Sequence, residues 1–330
     1  MRCRCLSSEA LSLACLDSYL APKSRCIDAG KCLDQMQSMK NSLKFTLSLM
    51  SLLSVPWAHA EGPVYVAGFG SAKWLVEGSA FECTFSHKIP SYGEAVFYRQ
   101  AGEAVIFYLN AIENEMAAGS ALLSSVAPSW RQGLPAEEIA YVEVSRSNRP
   151  VNLNATQTRV VMAELVKGMM PTLTRQAWYD EARSIRVAIS PVNFQGAYQN
   201  YQDCVIDLLP ANFAQLERSS VFWKSGQMEL DGAGREVLNN VIAYIKADSR
   251  VYSIQINGFT DTAGPSGENL ESSRLRAFAV HNYLVSNGVN EAMLETRYFG
   301  ETEDYLIVRN ESTASERDRN RRMTLLLRKN

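Results

Sequence analysis

The sequence predicts two domains: a mainly-β domain over residues 61–210 with one or two packed helices, followed by an α+β domain over residues 211–330. Upstream of Pro210, short runs of β-branched and aromatic residues alternate with Pro, Gly, Ser and Asn, which is typical of strands and turns. Downstream, strand-like and helical patterns alternate, which indicates a βαβαβ-type sheet with helices on one face and right-handed crossovers.

The first domain is expected to form a barrel or a sandwich from short strands. Six apolar runs predict these strands: Val64–Phe69, Ala80–Phe85, Ala95–Tyr98, Ala104–Leu109, Ile139–Val144 and Ile185–Ile189. Two further segments predict helices. Gln157–Met170 carries apolar residues four positions apart, and Gly196–Leu209 is ended by Pro210.

The second domain shows the clearer periodicity. Its predicted strands are Ser220–Trp223, Val251–Phe259, Arg297–Phe299 and Met323–Leu327. Its predicted helices are Asp231–Ala247 and Asn269–Ser286, and Asn287-Gly288 supplies a stop signal for the second helix.

Residues 39–60 have the features of a secretory signal peptide. Lys40 and Lys44 precede the apolar run Phe45–Val55, and Ala58-His59-Ala60 offers a small-x-small cleavage site. The run is shorter than the roughly 18 residues that span a bilayer; a short buried helix is the alternative. We expect an exported chain beginning at Glu61. Residues 1–38 are interpreted as a mis-called N-terminal extension, with translation starting at Met36 or Met39.

Charge and cysteine content limit the classes of function that fit the chain. The whole chain has 33 basic and 35 acidic residues, of which residues 1–60 hold seven and four. The mature chain therefore has 26 basic and 31 acidic residues. This acidic balance argues against a nucleic-acid partner. Five of seven cysteines precede residue 39, including a Cys3-x-Cys5 pair that lacks zinc-site spacing. The remaining Cys83 and Cys204 predict a disulfide in an exported chain; two free buried thiols are the alternative.

The segment Gly258–Ala277 combines a loop carboxylate with a helical guanidinium. Asp261 follows a predicted strand, and Arg276 comes fifteen residues later, at the front of a predicted helix. The Arg276 fork suits a ligand carboxylate, to which the first helical turn adds N–H donors, while Asp261 suits an ammonium. The pair therefore predicts a site for a small zwitterion. A simple salt bridge between the two side chains is the alternative.

An ordered pattern of residues surrounds this pair. It comprises GFTDTAG (258–264), Asn269, Ser273-x-x-Arg276-Ala277, Val280, Tyr283-Leu284, RYFGE (297–301), Asn310, Thr313, Arg317 and NRR (320–322). The pattern resembles the OmpA-like peptidoglycan-binding domain. Ser272 and Glu316 depart from it, because the family usually has Leu and Gly there. The resemblance implies that Asp261 and Arg276 hold the free end of meso-diaminopimelate in cell-wall stem peptides.

The resemblance also implies supporting roles around the pair, for Thr260, Gly264, Asn269, Arg321 and Arg322. Asn269 is either a helix N-cap, which base rates favour, or a ligand contact. Gly264 lets the loop approach the ligand or serves only as a turn glycine. Arg321 or Arg322 orients Asp261 or the ligand, whereas a solvated charged loop is the alternative for the cluster Arg317–Arg322.

The first domain carries a second resemblance. PSWRQGLP (128–135), PTLTRQAWYD (171–180), VAISPVNFQGAYQNYQDC (187–204) and LLP (208–210) are similar to the MotY family of flagellar motor proteins. In that family the two cysteines form a disulfide. The resemblance implies a periplasmic T-ring component that binds the basal body and a MotX-like partner through residues 61–210 and acts on the stator complex indirectly.

Other functional classes find less support. The mature chain has only His87 and His281, in no zinc or triad pattern, so we expect no enzyme, metal or cofactor. GFGSAK (68–73) lacks the spacing of a phosphate-binding loop. The apolar runs are shorter than the roughly 9–11 residues of transmembrane strands, so we expect no membrane-spanning part in the mature chain. A generic wall-tethering protein without a motor role is the main rival.

Overall fold

A computed structural model describes residues 62–330, which belong to one compact unit, His59–Asn330. The predicted signal peptide and N-terminal extension lie outside the described residues. Among the described residues, no helix combines the length and apolar character that crossing a membrane requires.

The first domain contains ten strands and two helices among the described residues. The strands are β1 Val64–Tyr65, β2 Trp74–Gly78, β3 Glu82–Ile89, β4 Gly93–Gln100, β5 Ile106–Ala111, β6 Gly119–Val126, β7 Glu137–Val144, β8 Asn152–Leu153, β9 Met170–Gln176 and β10 Ser184–Ala188. The helices are α1 Ala155–Val166 and α2 Phe194–Ile206. One five-stranded sheet has the order β1-β10-β9-β6-β7, and the other has the order β2-β3-β4-β5-β8.

The two sheets share one hydrophobic core. Phe85 and Phe97 of the second sheet lie in the same buried cluster as Leu123 and Leu173 of the first sheet. Along β3, buried residues alternate with more exposed ones, as expected when one face of a sheet is buried. The arrangement is therefore a sandwich of two separate sheets, the second of the two architectures that the sequence predicted.

The sequence missed β2, β6, β8 and β9, and it extended the first helix too far. A capping box between Asn154 and Gln157 starts α1. The helix ends before Gly168, whose φ of 77° is the left-handed conformation that favours glycine. The Met169 N–H bonds back to the Glu164 carbonyl, which closes the helix end. The apolar residues that continued the helical pattern then begin β9.

Cys83 and Cys204 form the predicted disulfide. It links β3 to α2 across 121 residues of sequence, with the two Cα atoms 6.2 Å apart. Gly78 lies directly opposite Cys83 on β2, and a Cβ there would overlap the Cys204 sulfur. The glycine therefore makes room for the bridge that holds helix α2 on the second sheet.

The second domain continues the chain from residue 211. Its elements are α3 Phe213–Leu216, β11 Arg218–Phe222, α4 Gly232–Ala247, β12 Val251–Phe259, α5 Ser266–Ser286, β13 Leu294–Gly300, α6 Ala314–Asn320 and β14 Arg322–Lys329, with short 3-10 turns at Glu291–Met293 and Glu303–Tyr305. The sheet order is β11-β14-β12-β13. Strand β12 is parallel to β13, whereas β14 runs antiparallel to both β11 and β12.

Helices α4 and α5 cover one face of this sheet. Val241 of α4 and Val280 of α5 are fully buried in one cluster with Ile254, Ile256 and Leu325 of the sheet. Helix α5 ends as predicted at Asn287-Gly288, where the Val289 N–H reaches back to the Leu284 carbonyl. The second domain is thus the α+β fold that the sequence predicted, with an antiparallel strand inserted between parallel ones.

Candidate ligand-binding site

Asp261 lies directly after β12, in the loop that leads to helix α5. The residue is 6% exposed, and Arg321 donates a hydrogen bond to its carboxylate. Arg321 is held in turn by the Trp223 carbonyl, at 3.2 Å from its Nε, and by Asp318. Of the two arginines that the sequence offered for orienting Asp261, Arg321 is the one that contacts it. It also means that Asp261 already has one cation beside it.

Arg276 is buried without a countercharge of its own. The residue is 3% exposed, and its Nε donates to the Gln227 carbonyl at 3.0 Å. Within residues 62–330, no carboxylate lies in ion-pair distance of this guanidinium. Burial and the Arg321 charge lower the pKa of Arg276, whereas the Asp261 charge raises it. The site thus has two buried cations and one buried anion, and an incoming carboxylate would balance the second cation.

The position of Arg276 on its helix differs from the prediction. Helix α5 begins at Ser266, ten residues earlier, so the Arg276 backbone lies about 15 Å along the axis from the first helical residue at 1.5 Å per residue. Arg276 therefore comes from the middle of the helix rather than its front. The predicted simple salt bridge is also not formed, since the partner of Asp261 is Arg321.

Asn269 is not an N-cap. The helix cap is Pro265, which makes no side-chain cap bond, and Asn269 lies inside the first helical turn. Its Nδ2 donates to the Ala263 carbonyl at 3.1 Å and to the Glu301 carboxylate. Proline is compatible with a helix start because its missing N–H would be unpaired there. The asparagine instead connects the loop after β12 to the end of β13.

Thr260 and Gly264 shape the same loop. The Thr260 N–H donates to the Gly300 carbonyl at 2.8 Å, and its buried hydroxyl has no hydrogen-bond partner among the described residues. Gly264 has a φ of 97°, which favours glycine, and a Cβ added at this residue would meet no other heavy atom within 4 Å. A turn glycine accounts for Gly264 fully. The Thr260 hydroxyl is therefore a buried polar atom left without a partner among the described residues.

Arg322 is the first residue of β14, directly after Arg321, which caps the end of helix α6. Its guanidinium lies 4.4 Å from the Phe259 ring centroid, and its Nη2 donates to the Tyr305 carbonyl at 2.6 Å. Burial lowers the pKa of Arg322. The geometry therefore gives Arg322 a packing role beneath the loop, and of the two arginines Arg321 is the one beside Asp261.

Trp223 is a site residue that the sequence did not indicate. Its backbone carbonyl accepts from the Arg321 side chain, and its backbone N–H donates to the Arg321 carbonyl at 2.9 Å. The centroid of its ring lies 5.7 Å from the Arg276 guanidinium. The residue is fully buried directly after β11. It contacts both arginines only because β11 pairs with β14, and that pairing joins segments about a hundred residues apart.

Comparisons with known proteins identify both halves of the chain. Residues 65–210 match the model of the MotY N-terminal domain, and residues 222–321 match the model of the OmpA family. The chain joins a MotY N-terminal domain to an OmpA-family domain. Neither of these models describes an enzyme family. Asp261, Arg276 and Arg321 all fall inside the OmpA-family match, which ends just before Arg322.

One curated protein is similar to most of the chain, and several solved structures are similar to part of it. The chain is 26% identical over 282 residues to the sodium-type flagellar protein MotY of Vibrio parahaemolyticus serotype O3:K6, covering 84% of this chain and 95% of that one. Among solved structures, a putative MotB like protein from Desulfovibrio vulgaris is 29% identical, covering 34% of this chain and 74% of that chain with a TM-score of 0.30. The peptidoglycan-associated lipoprotein from Burkholderia pseudomallei is 26% identical, with corresponding coverages of 33% and 89% and a TM-score of 0.31.

Proposed function

We propose that this protein is a non-enzymatic component of a flagellar motor that is fixed to peptidoglycan through its OmpA-family domain. The MotY N-terminal domain binds the basal body and a MotX-like partner, and in this way helps stators to assemble and generate torque. The proposal is supported by the two domain matches and by the relatedness to a sodium-type flagellar protein MotY. The predicted signal peptide supports a periplasmic location.

The wall ligand follows from the charges of the site. The single observation that supports it best is the buried Arg276, which has Asp261 nearby and no anion of its own within residues 62–330. The free end of diaminopimelate has an ammonium and a carboxylate on one carbon atom. Its carboxylate binds the Arg276 fork, and its ammonium shares Asp261 with Arg321.

Asp261 can accept both partners because a carboxylate offers about four acceptor positions and Arg321 uses only part of them. Arg321 then fixes the carboxylate while the ligand ammonium approaches another lone pair. Asn269 supports the loop through Ala263 rather than through the helix terminus.

A generic wall-tethering protein without a motor role is the competing function. Both proposals predict wall binding, so they differ only in what residues 61–210 bind. The match of residues 65–210 to the MotY N-terminal domain favours the motor. Two experiments distinguish them. If the protein is a motor component, deletion of its gene is expected to give cells that build flagella but lose motility. In cells that carry a tagged copy of the protein, basal bodies are expected to co-purify with it. Normal motility in the deletion strain would exclude the motor role.

A further inference from the structure

A cavity of about 340 Å³ lies in the first domain, between helices α1 and α2 and the end of strand β4. This region is separate from the site around Asp261. The cavity is lined by Arg99, Val105, Arg159, Met162, Tyr198, Tyr201, Gln202, Val205 and Ile206. Its volume falls at the lower end of the range for small-molecule pockets, roughly 300–1,000 Å³.

Two polar groups in the wall of this cavity are buried without partners. Tyr201 is 3% exposed, and its hydroxyl makes no hydrogen bond within residues 62–330. The Nε of Arg99 is likewise buried and unbonded in the same part of the chain. Buried polar groups are nearly always paired, so two unpaired donors in one cavity wall indicate a missing acceptor.

The cavity is also positively charged. Arg99 on β4 and Arg159 on α1 both line it, and none of its nine lining residues is acidic. Within residues 62–330, Arg159 bonds only to the nearby Thr156 hydroxyl, at 3.3 Å, and forms no ion pair there. Burial raises the pKa of Tyr201, and the Arg99 charge opposes that rise, which places the hydroxyl within the field of the guanidinium.

Apart from Gln202 and Tyr198, the remaining wall is aliphatic. Val105, Met162 and Val205 form its sides, and Ile206 at the end of α2 is 78% exposed at its edge. An inorganic anion would leave these side chains in contact with water. A ligand that combines one anionic group with a hydrocarbon portion satisfies both parts of the wall.

We infer that this cavity binds an apolar carboxylate, which accepts from the Arg99 guanidinium while its hydrocarbon portion packs against Met162, Val205 and Ile206. A carboxylate matches the planar guanidinium fork better than a spherical anion does. Arg159 at the exposed side adds attraction for the negative charge. Two sources share this chemistry: a free fatty acid and the carboxyl terminus of a polypeptide that ends in an apolar residue.

Isothermal titration of the exported, purified protein tests the inference with matched probes. Octanoate is compared with octanol, and an acetylated Ala-Leu-Leu peptide is compared with its C-terminal amide. At least one carboxylate is expected to bind about tenfold or more tightly than its uncharged counterpart. The probe that binds identifies the source. Equal binding of each pair, saturation of the site by inorganic phosphate alone, or no heat with either carboxylate would overturn the inference.

Variants locate the binding. Arg99→Gln is expected to weaken carboxylate binding about tenfold or more. Arg159→Gln is expected to weaken it about threefold or more. Because Arg159 is exposed, its variant still tests the inference if Arg99→Gln does not fold. Tyr201→Phe is expected to leave carboxylate binding nearly unchanged and the thermal midpoint unchanged or higher, because it removes a buried, unpartnered hydroxyl. Arg146→Gln removes an arginine from outside the cavity and serves as the control. Carboxylate binding that is unchanged in both arginine variants would contradict the inference.

Discussion

Arg321 donates directly to the carboxylate of Asp261, and Arg276 lies nearby without an anion of its own. The Asp261 carboxylate, which we propose binds the ligand ammonium, is therefore oriented before any ligand arrives, whereas the Arg276 guanidinium, which we propose binds the ligand carboxylate, has no countercharge. Holding a buried charge unpaired is unfavourable for the folded protein. The arrangement is expected to stabilise a carboxylate ligand at the expense of the unliganded protein.

This imbalance predicts opposite effects of one substitution on stability and binding. Arg276→Met keeps the length and packing of the side chain but removes the unpaired charge. We expect a free energy of unfolding equal to or higher than that of the wild type, because replacing buried charge by apolar surface is often neutral or stabilising. Sacculus binding is expected to be lost. Urea unfolding and sacculus co-sedimentation check the two effects; a strong loss of stability would show that Arg276 has a structural partner.

The pairing of Arg321 with Asp261 predicts a positioning role. Arg321→Gln removes the cation that holds the Asp261 carboxylate, so sacculus binding is expected to fall about tenfold even though Asp261 and Arg276 are intact. Arg319→Gln is the matched control, because Arg319 is exposed in the last turn of helix α6, two residues before Arg321. Co-sedimentation at several salt concentrations gives the affinities. Equal losses in the two variants would indicate a general charge effect instead.

The disulfide predicts that the protein has a higher free energy of unfolding with the bridge than without it. In the chain-entropy model, closing a loop of 121 residues stabilises a protein by about 4–5 kcal/mol. Replacing both Cys83 and Cys204 by Ala is expected to lower the free energy of unfolding by up to that amount. Denaturant unfolding of the double variant and thiol labelling of the denatured wild type check this. Two reactive thiols in protein taken from the periplasm would contradict the bridge.

His87 predicts a pH dependence of stability. The ring is fully buried against Trp74, its Nδ1 is 3.0 Å from the Lys73 carbonyl, and burial lowers its pKa to about 4. The unfolded chain takes up a proton below about pH 6.5 while the folded protein does not. Stability is therefore expected to fall between pH 6.5 and 4, by about 3 kcal/mol from this residue at 1.4 kcal/mol per pKa unit.

The control for this pH effect is His87→Gln, which keeps an N–H donor and cannot titrate in that range. Urea unfolding at pH 7 and pH 4.5 is compared for both proteins. The wild type is expected to lose more stability than the variant over this interval. Parallel losses in the two proteins would show that groups other than His87 account for the acid sensitivity in this interval.

The sequence predicted the second domain better than the first for a physical reason. Strand β12 and helices α4 and α5 each bury one regular face, so their period is visible in the residues. Strand β9 begins with Met170-Pro171 and continues an apolar pattern from a helix, so its identity depends on pairing with β6 and β10. Only tertiary structure supplies that pairing.

The site was predictable where its residues are close in sequence. Asp261 and Arg276 lie in one motif, and their nearness in space follows from a strand, a loop and a helix. Trp223 and the Gln227 carbonyl reach Arg276 from the segment after β11, and Arg321 reaches Asp261 from the start of β14. These contacts depend on the antiparallel insertion of β14 beside β12, which the sequence did not reveal.

The most direct test of the proposed wall binding compares two kinds of sacculi. Diaminopimelate carries the distal carboxylate that Arg276 is proposed to bind, whereas lysine at the same stem-peptide position lacks it. Wild-type protein is expected to bind the diaminopimelate sacculi and to bind the lysine sacculi weakly. Asp261→Ala and Arg276→Ala are each expected to cost about 2–5 kcal/mol on the first kind, and the exposed Arg274→Gln to cost little. Equal binding of the two sacculi, or unchanged binding in both alanine variants, would contradict the account.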